Sequence, residues 1–247
     1  MPLLAGLRLI PQTLGQPNYG PYVAGNSLSL IGSWMQRVAV GWLAWELSHS
    51  GAVLGLVAFA DLASTLMVGP FGGVLADRLD RRRLLMIGQS ANMVLSFLLA
   101  AFTVSGLMTV PLLVLIIGIN GAVIGINQPA RLALISNLVA REHLPTAVAI
   151  NSLVFNLARF IGPAIAGMVI LYFDIALVFF LNALSFVSFL FALSRLDLPE
   201  TRQQREGAST PPMFQAIAEG LRYVIRHPGI GPLLALHATM AITARPY

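Results

Sequence analysis

The stretch Gly69-Pro70-Phe71-Gly72-Gly73-Val74-Leu75-Ala76-Asp77-Arg78-Leu79-Asp80-Arg81-Arg82-Arg83-Leu84-Leu85 decides how the chain folds. An apolar run leads into it and another leads out. Between them stand Asp77, Arg78, Asp80, Arg81, Arg82 and Arg83, six charges in seven residues. A charge at the centre of a bilayer costs roughly 2.5–3.5 kcal/mol or more, so this cluster has to lie in water. It reads as a tight loop joining two membrane-spanning helices. Its four arginines place it on the cytoplasmic side by the positive-inside rule.

Composition agrees. Of 247 residues, 57% are hydrophobic and 10% charged, against about 25% charged in an ordinary soluble domain. The net charge of +5 does not point to nucleic acid, because the arginines recur between apolar runs instead of gathering on one face. There is no cysteine, hence no disulfide and no thiolate metal site. All fifteen basic residues are arginine. The short apolar stretch from Leu3 to Ile10 is interrupted by Arg8 and lacks the layout of a signal peptide.

Working outward from the loop, six runs each approach the ~20 residues that cross the hydrocarbon of a bilayer. They cover about Tyr22 to Leu47, Val53 to Ala76, Leu84 to Val104, Val110 to Ala130, Ala147 to Leu171 and Ile175 to Leu193. Residues 1–20 form a cytoplasmic N-terminus, and residues 21–194 an all-α membrane bundle of six helices. Residues 131–146 read as an inner loop. Twelve arginines fall in the segments assigned to the inside and none in the three outer turns; Arg37, Arg159 and Arg245 fall inside apolar runs. Trp42 and Trp45, near the outer end of the first run, suit an interfacial belt.

Residues 195–229 are the long polar stretch, with a linker-like composition from Glu200 to Pro212. Met213, Phe214, Ile217, Leu221, Val224 and Ile225 then recur at helical spacing, as in an amphipathic helix lying on the membrane surface or packed on the ends of the bundle. Residues 230–247 read as the start of a seventh spanning helix. An internal echo is visible too. Gly69-Pro70 lies late in the second run and Gly162-Pro163 late in the fifth, as expected of two inverted three-helix repeats.

These residues resemble the major facilitator superfamily, and within it the bacterial drug and siderophore efflux members. The family's loop between helices two and three reads Gly-x-Leu-Ala-Asp-Arg-x-Gly-Arg-Arg. Here it stands as Gly73-Val74-Leu75-Ala76-Asp77-Arg78-Leu79-Asp80-Arg81-Arg82, with Asp80 where glycine is usual. The run Leu157-Ala158-Arg159-Phe160-Ile161-Gly162-Pro163-Ala164-Ile165-Ala166-Gly167 is similar to the fifth-helix motif associated with antiporters. Ser33-Trp34-Met35-Gln36 and Asn127-Gln128-Pro129-Ala130-Arg131 also look like the efflux group. The resemblance covers about residues 17–247. It implies half of a twelve-helix transporter fold, with a C-terminal six-helix half expected as partner and absent from this chain. A truncated fragment, a split gene and a homodimeric half-transporter all fit that expectation.

Several residues are candidates for function. By resemblance Asp77 anchors a cytoplasmic gate, its carboxylate meeting the positive N-terminus of a helix in the other half, with Gly73, Arg78, Arg81 and Arg82 completing the motif. The alternative is that these charges only fix topology. Arg37, Asp61, Arg131 and Arg159 are candidates for the substrate or proton pathway, because ionisable groups inside spans are functional by default. Arg37 and Asp61 lie on adjacent helices and can pair. Asp61 suits a proton carrier, since arginine does not titrate in the working range. Arg159 suits fixing the fifth helix or attracting an anionic substrate group. Gly162, Pro163 and Gly167 permit close helix approach and a kink.

No glycine-rich phosphate loop, histidine pair at metal spacing or serine with a His/Asp partner is present, so neither an enzyme nor a cofactor or metal site is expected. The reading is a secondary active transporter of the bacterial inner membrane, N-terminus inside. It exports a small molecule by proton-coupled alternating access, with membrane lipid and that substrate as partners and no nucleic acid. The alternative is a non-transporting fragment or membrane interaction protein.

Overall fold

The computed structural model describes residues 9–197 and, beyond them, single positions between 213 and 239. Two compact units are distinguished, Met1–Arg202 and Gln203–Tyr247. The first is a bundle of six long helices: α1 (Tyr19–Ser48), α2 (Gly51–Arg78), α3 (Arg81–Val104), α4 (Val110–Leu138), α5 (Leu144–Tyr172) and α6 (Ile175–Arg195). Among the described residues there is no strand. α2 to α6 are each long and apolar enough to cross a membrane. α1 is the longest, at 30 residues, and is made more polar by Asn26, Gln36, Arg37 and Glu46.

Three helix ends have visible local causes. His49, in the left-handed region at φ 50°, ends α1 by turning its N–H onto the Trp45 carbonyl. Asp80 occupies the position where glycine was expected and is the N-cap of α3. Its carboxylate accepts from the Arg83 N–H at 2.7 Å, satisfying a donor that the helix leaves unpaired. Asp174 caps α6 by accepting from the Ala176 N–H. Connections this short force each helix to run antiparallel to the one before it.

One boundary differs from the sequence reading. Residues 131–138 are not part of an inner loop, because α4 runs on through Pro129 to Leu138. Pro129 removes only the ladder bond to the Gly125 carbonyl, and in a packed membrane helix neighbours compensate such a loss. Arg131 therefore lies within α4, about 10 Å from its end at 1.5 Å rise per residue.

Most packing partners are not chain neighbours. The heaviest packing is α2 on α4, followed by α1 on α6, α3 on α6, α1 on α5 and α3 on α4. Exchanging α1 with α4, α2 with α5 and α3 with α6 maps this set onto itself. α1·α5 becomes α4·α2, α1·α6 becomes α4·α3, and α3·α6 is unchanged. That is the contact pattern of two three-helix repeats of opposite orientation. The bundle is an all-α membrane fold of the 3+3 inverted-repeat type.

Lipid supplies no hydrophobic drive between helices, so small residues and polar contacts decide who packs on whom. A Cβ on Gly125 would lie 2.6 Å from the Thr65 carbonyl oxygen, and one on Gly72 would lie 2.6 Å from the Gly125 carbonyl oxygen. Gly121 meets the Asp61 backbone equally tightly. The Thr65 hydroxyl bonds both the Asp61 carbonyl (2.8 Å) and the Gly121 carbonyl across the seam (2.9 Å). Behind α1, Gln36 Oε1 accepts from the Ser96 hydroxyl at 2.7 Å and from Asn182 Nδ2 at 2.8 Å, which ties α1, α3 and α6 together in the buried interior.

α2 and α5 are the sparsely buried helices. α2 buries only Val57, Gly72 and Ala76, and α5 only Ala147, Ile150, Ala158, Gly162 and Ala166. In the second unit, Met213, Gln215, Glu219, Arg222 and Tyr223 are helical, with Gln215 donating to Glu219 one turn on. The other positions of the expected amphipathic helix, and most of residues 230–247, lie outside the described residues.

Candidate functional site

Gln36 and Arg37 are consecutive on α1 and so point to different sides of it. Gln36 faces the α3/α6 interior, whereas Arg37 projects toward α2 and α5, with 59% of its side chain exposed in this bundle. There Arg37 Nη2 lies 3.5 Å from Asp61 Oδ2. That is an ion pair, but longer than the 2.7–3.2 Å of an N–H···O hydrogen bond. The Arg37 guanidinium carbon stands 4.9 Å from the centre of the Trp34 ring, and that of Arg159 5.7 Å from the same ring. Phe155 packs edge-on against Trp34 at 5.8 Å.

Arg37, Asp61 and Arg159 lie about 17, 15 and 20 Å from the ends of α1, α2 and α5 farthest from the arginine-rich loop, at 1.5 Å per residue. All three therefore sit at a similar depth, well inside the length of their helices. Gly162 makes the meeting possible. A Cβ there would lie 2.5 Å from Trp34 Cβ and 2.9 Å from the Ile31 carbonyl oxygen, so α5 approaches α1 as only glycine permits, one turn beyond Arg159. Pro163 lacks the N–H that would bond the Arg159 carbonyl, which loosens the helix at that point. Gly167 has nothing within 4 Å of a built Cβ and plays no part in this approach.

The loop motif divides. Arg82 donates to the carbonyls of Ser194 (2.6 Å) and Leu196 (3.0 Å), and Arg81 to that of Ala133 (3.4 Å). Arg82 thus satisfies orphan carbonyls at the end of α6, where a cation is favoured. Asp77 and Arg78 lie exposed in the last turn of α2. Asp77 has no hydrogen bond or ion pair among the described residues, and the dipole of its own helix disfavours a carboxylate there. Gly73 is half-buried, with open space beyond its Cα.

Arg131 stands apart from the mid-helix cluster. Its guanidinium lies over the Phe189 ring at 5.4 Å, and Tyr22 meets the same ring edge-on at 5.5 Å. Tyr19, stacked on Tyr22, donates to the Ala147 carbonyl at 2.7 Å. Thr13 and His143 pair at 3.0 Å in the same region.

The structure thus unites Arg37, Asp61 and Arg159, ties Arg81 to a backbone carbonyl of α4 and Arg82 to the end of α6, and separates Arg131 from the rest. Sequence reasoning missed Trp34 as the shared ring and the Gly121/Gly125 seam on α4. The spacing Gly121-x-x-x-Gly125 was the available signal for the seam. No short-range signal links Trp34 to Arg159.

Comparison with known proteins now has a structure to rest on. The chain is 28% identical to the staphyloferrin A transporter of Staphylococcus aureus over 167 residues, 67% of this chain and 42% of that one. It is 26% identical to the enterobactin exporter EntS of Shigella flexneri over 218 residues, covering 87% and 52% of the two chains. It is 29% identical to the multidrug efflux pump Tap of Mycolicibacterium fortuitum over 219 residues, covering 81% and 49%. The chain spans about half the length of the curated relatives it matches. The family model described as transmembrane secretion effector matches residues 21–244, nearly the whole length over which the helices, the loop motif and the charged cluster were traced. The chain belongs to that family, a branch of the major facilitator superfamily, and is a multi-pass membrane protein.

Proposed function

We propose that this chain is the N-terminal half of a proton-coupled secondary exporter of the bacterial inner membrane, with its N-terminus in the cytoplasm, moving a small molecule by alternating access. The observation that carries the reading is the Arg37–Asp61–Trp34–Arg159 cluster, charged groups at membrane depth on a face of α1, α2 and α5 that the bundle leaves open. Charges kept in such a position belong to a pathway or a water-filled cavity. The relatives named as exporters of a siderophore or of drugs support the class of activity.

In this reading the sparsely buried α2 and α5 receive a second six-helix half, whose helices cover exposed Phe59, Leu66, Phe160 and Met168. Asp77, unfavourably placed on its own helix, takes its partner from a helix N-terminus of that half and holds the cytoplasmic side shut. Asp61 carries the proton, and its release from Arg37 on protonation accompanies the change of access.

The test is transport in inverted membrane vesicles containing the complete twelve-helix protein, energised by a proton gradient and given a panel of candidate small molecules in the outside medium. Asp77→Asn abolishes uptake into the vesicles without reducing the amount inserted, and Asp61→Asn uncouples uptake from proton movement. Wild-type transport by both variants refutes the assignment.

A further inference from the structure

The mid-helix cluster holds two cations and one anion. Arg37 and Arg159 share the Trp34 ring, and Asp61 is the carboxylate paired there, with Arg37. Arg159 has no carboxylate, carbonyl or hydroxyl partner among the described residues. A guanidinium is not deprotonated to escape this, so one positive charge stands uncompensated at membrane depth. The Arg159 guanidinium, 5.7 Å from the indole centre, has a ring beside it but no oxygen acceptor among the described residues, so its N–H groups are free for a planar, two-oxygen acceptor. The aromatic rings of Trp34 and Phe155 beside it offer an apolar wall.

We propose that the cargo of this transporter carries an anionic oxygen group, a carboxylate or an equivalent delocalised anion, attached to an aromatic or apolar body. Arg159 takes the anion edge-on while Trp34 and Phe155 take the body. This rests on the transporter reading for the word cargo, but the site itself is testable without transport. Asp61, paired with Arg37 beside the same Trp34 ring, is a negative charge near the anion position and opposes its entry.

The experiment measures binding to the chain in lipid nanodiscs. The chain has three tryptophans, so Trp42→Phe with Trp45→Phe leaves Trp34 as the only reporter. The probes are 4-nitrobenzoate, its neutral amide and the cationic 4-nitrobenzylammonium, read by quenching of Trp34 fluorescence. One charge-assisted hydrogen-bonding partner in a desolvated site corresponds to about tenfold or more in affinity. Nitrobenzoate therefore binds at least about tenfold more tightly than either analogue by that conversion. Arg159→Gln removes the preference, Arg159→Lys keeps the charge but not the planar fork and so retains a weaker preference, and Asp61→Asn strengthens it.

Equal binding of the three probes, preference for the cation, or an intact preference in Arg159→Gln overturns the inference. So does loss of anion binding once a second six-helix half is present, which would make a carboxylate of that half the true occupant. Anion-selective binding by a protein that pumps nothing would instead overturn the transporter reading and leave the site standing. Proton-driven export confined to neutral or cationic molecules would do the reverse.

Discussion

Gly162→Ala and Gly167→Ala change the same residue type on the same helix, five positions apart, yet they should move stability in opposite directions. At Gly162 the new methyl carbon would stand 2.5 Å from Trp34 Cβ and 2.9 Å from the Ile31 carbonyl oxygen, where ordinary contact begins at 3.4 Å. α5 must therefore move away from α1 by about 0.9 Å locally, since backbone and a Cβ cannot swing aside as a side-chain tip can. Overpacking of this kind costs about 1–3 kcal/mol, while alanine returns up to about 1 kcal/mol of helix propensity over glycine. The net loss is up to about 2 kcal/mol. At Gly167 no atom lies within 4 Å, so the propensity gain of up to about 1 kcal/mol stands alone. The assay is reversible SDS titration of the chain in mixed micelles, followed by Trp34 fluorescence with Trp42 and Trp45 replaced by phenylalanine. The midpoints should separate by about 1–3 kcal/mol, the overpacking cost alone, and Gly162→Ala should also weaken anion binding by drawing Arg159 off Trp34. Equal shifts, or an unchanged Gly162→Ala, would refute the claim that this glycine sets the α1–α5 distance.

Other perturbations separate structural from functional charges. Arg82→Gln uncaps α6 at two carbonyls and should lower stability by about 1–2 kcal/mol in the same titration, whereas Asp77→Asn should leave stability unchanged and abolish transport. Asn182→Leu removes the amide that donates to both Gln36 and Ser96 in the interior, leaving those two only their mutual bond, and should cost about 1–3 kcal/mol, more than Ser194→Ala at the exposed end of the same helix. Thr65→Val removes the hydroxyl bridge from α2 to the Gly121 carbonyl and should cost about 0.6–1.7 kcal/mol, the scale of a hydrogen bond between membrane helices. Tyr19→Phe loses the bond to the Ala147 carbonyl and should cost about 0.5–1.5 kcal/mol, again read by SDS titration.

By itself the sequence determined the order of the long apolar helices between residues 19 and 195 and the place of the charged turn between α2 and α3. A bilayer imposes that constraint along one dimension: a run of ~20 apolar residues crosses, and a cluster such as Asp77 to Arg83 does not. It also determined the family, because the loop motif is contiguous. Where the linear signal was ambiguous the reading slipped, as at Pro129, taken for a stop although α4 continues and carries Arg131 into the bundle. Only the tertiary structure decided the partners. Lipid is as apolar as leucine, so hydrophobic periodicity does not tell a helix which face meets a neighbour. That choice was made by contacts far apart in the chain: Gly162 on Ile31 and Trp34, Gly125 on Thr65, and Gln36 with Ser96 and Asn182. The same long-range packing put Arg159 and Arg37 on one indole and gave Arg82 a structural task, distinctions that their identical side chains could not announce.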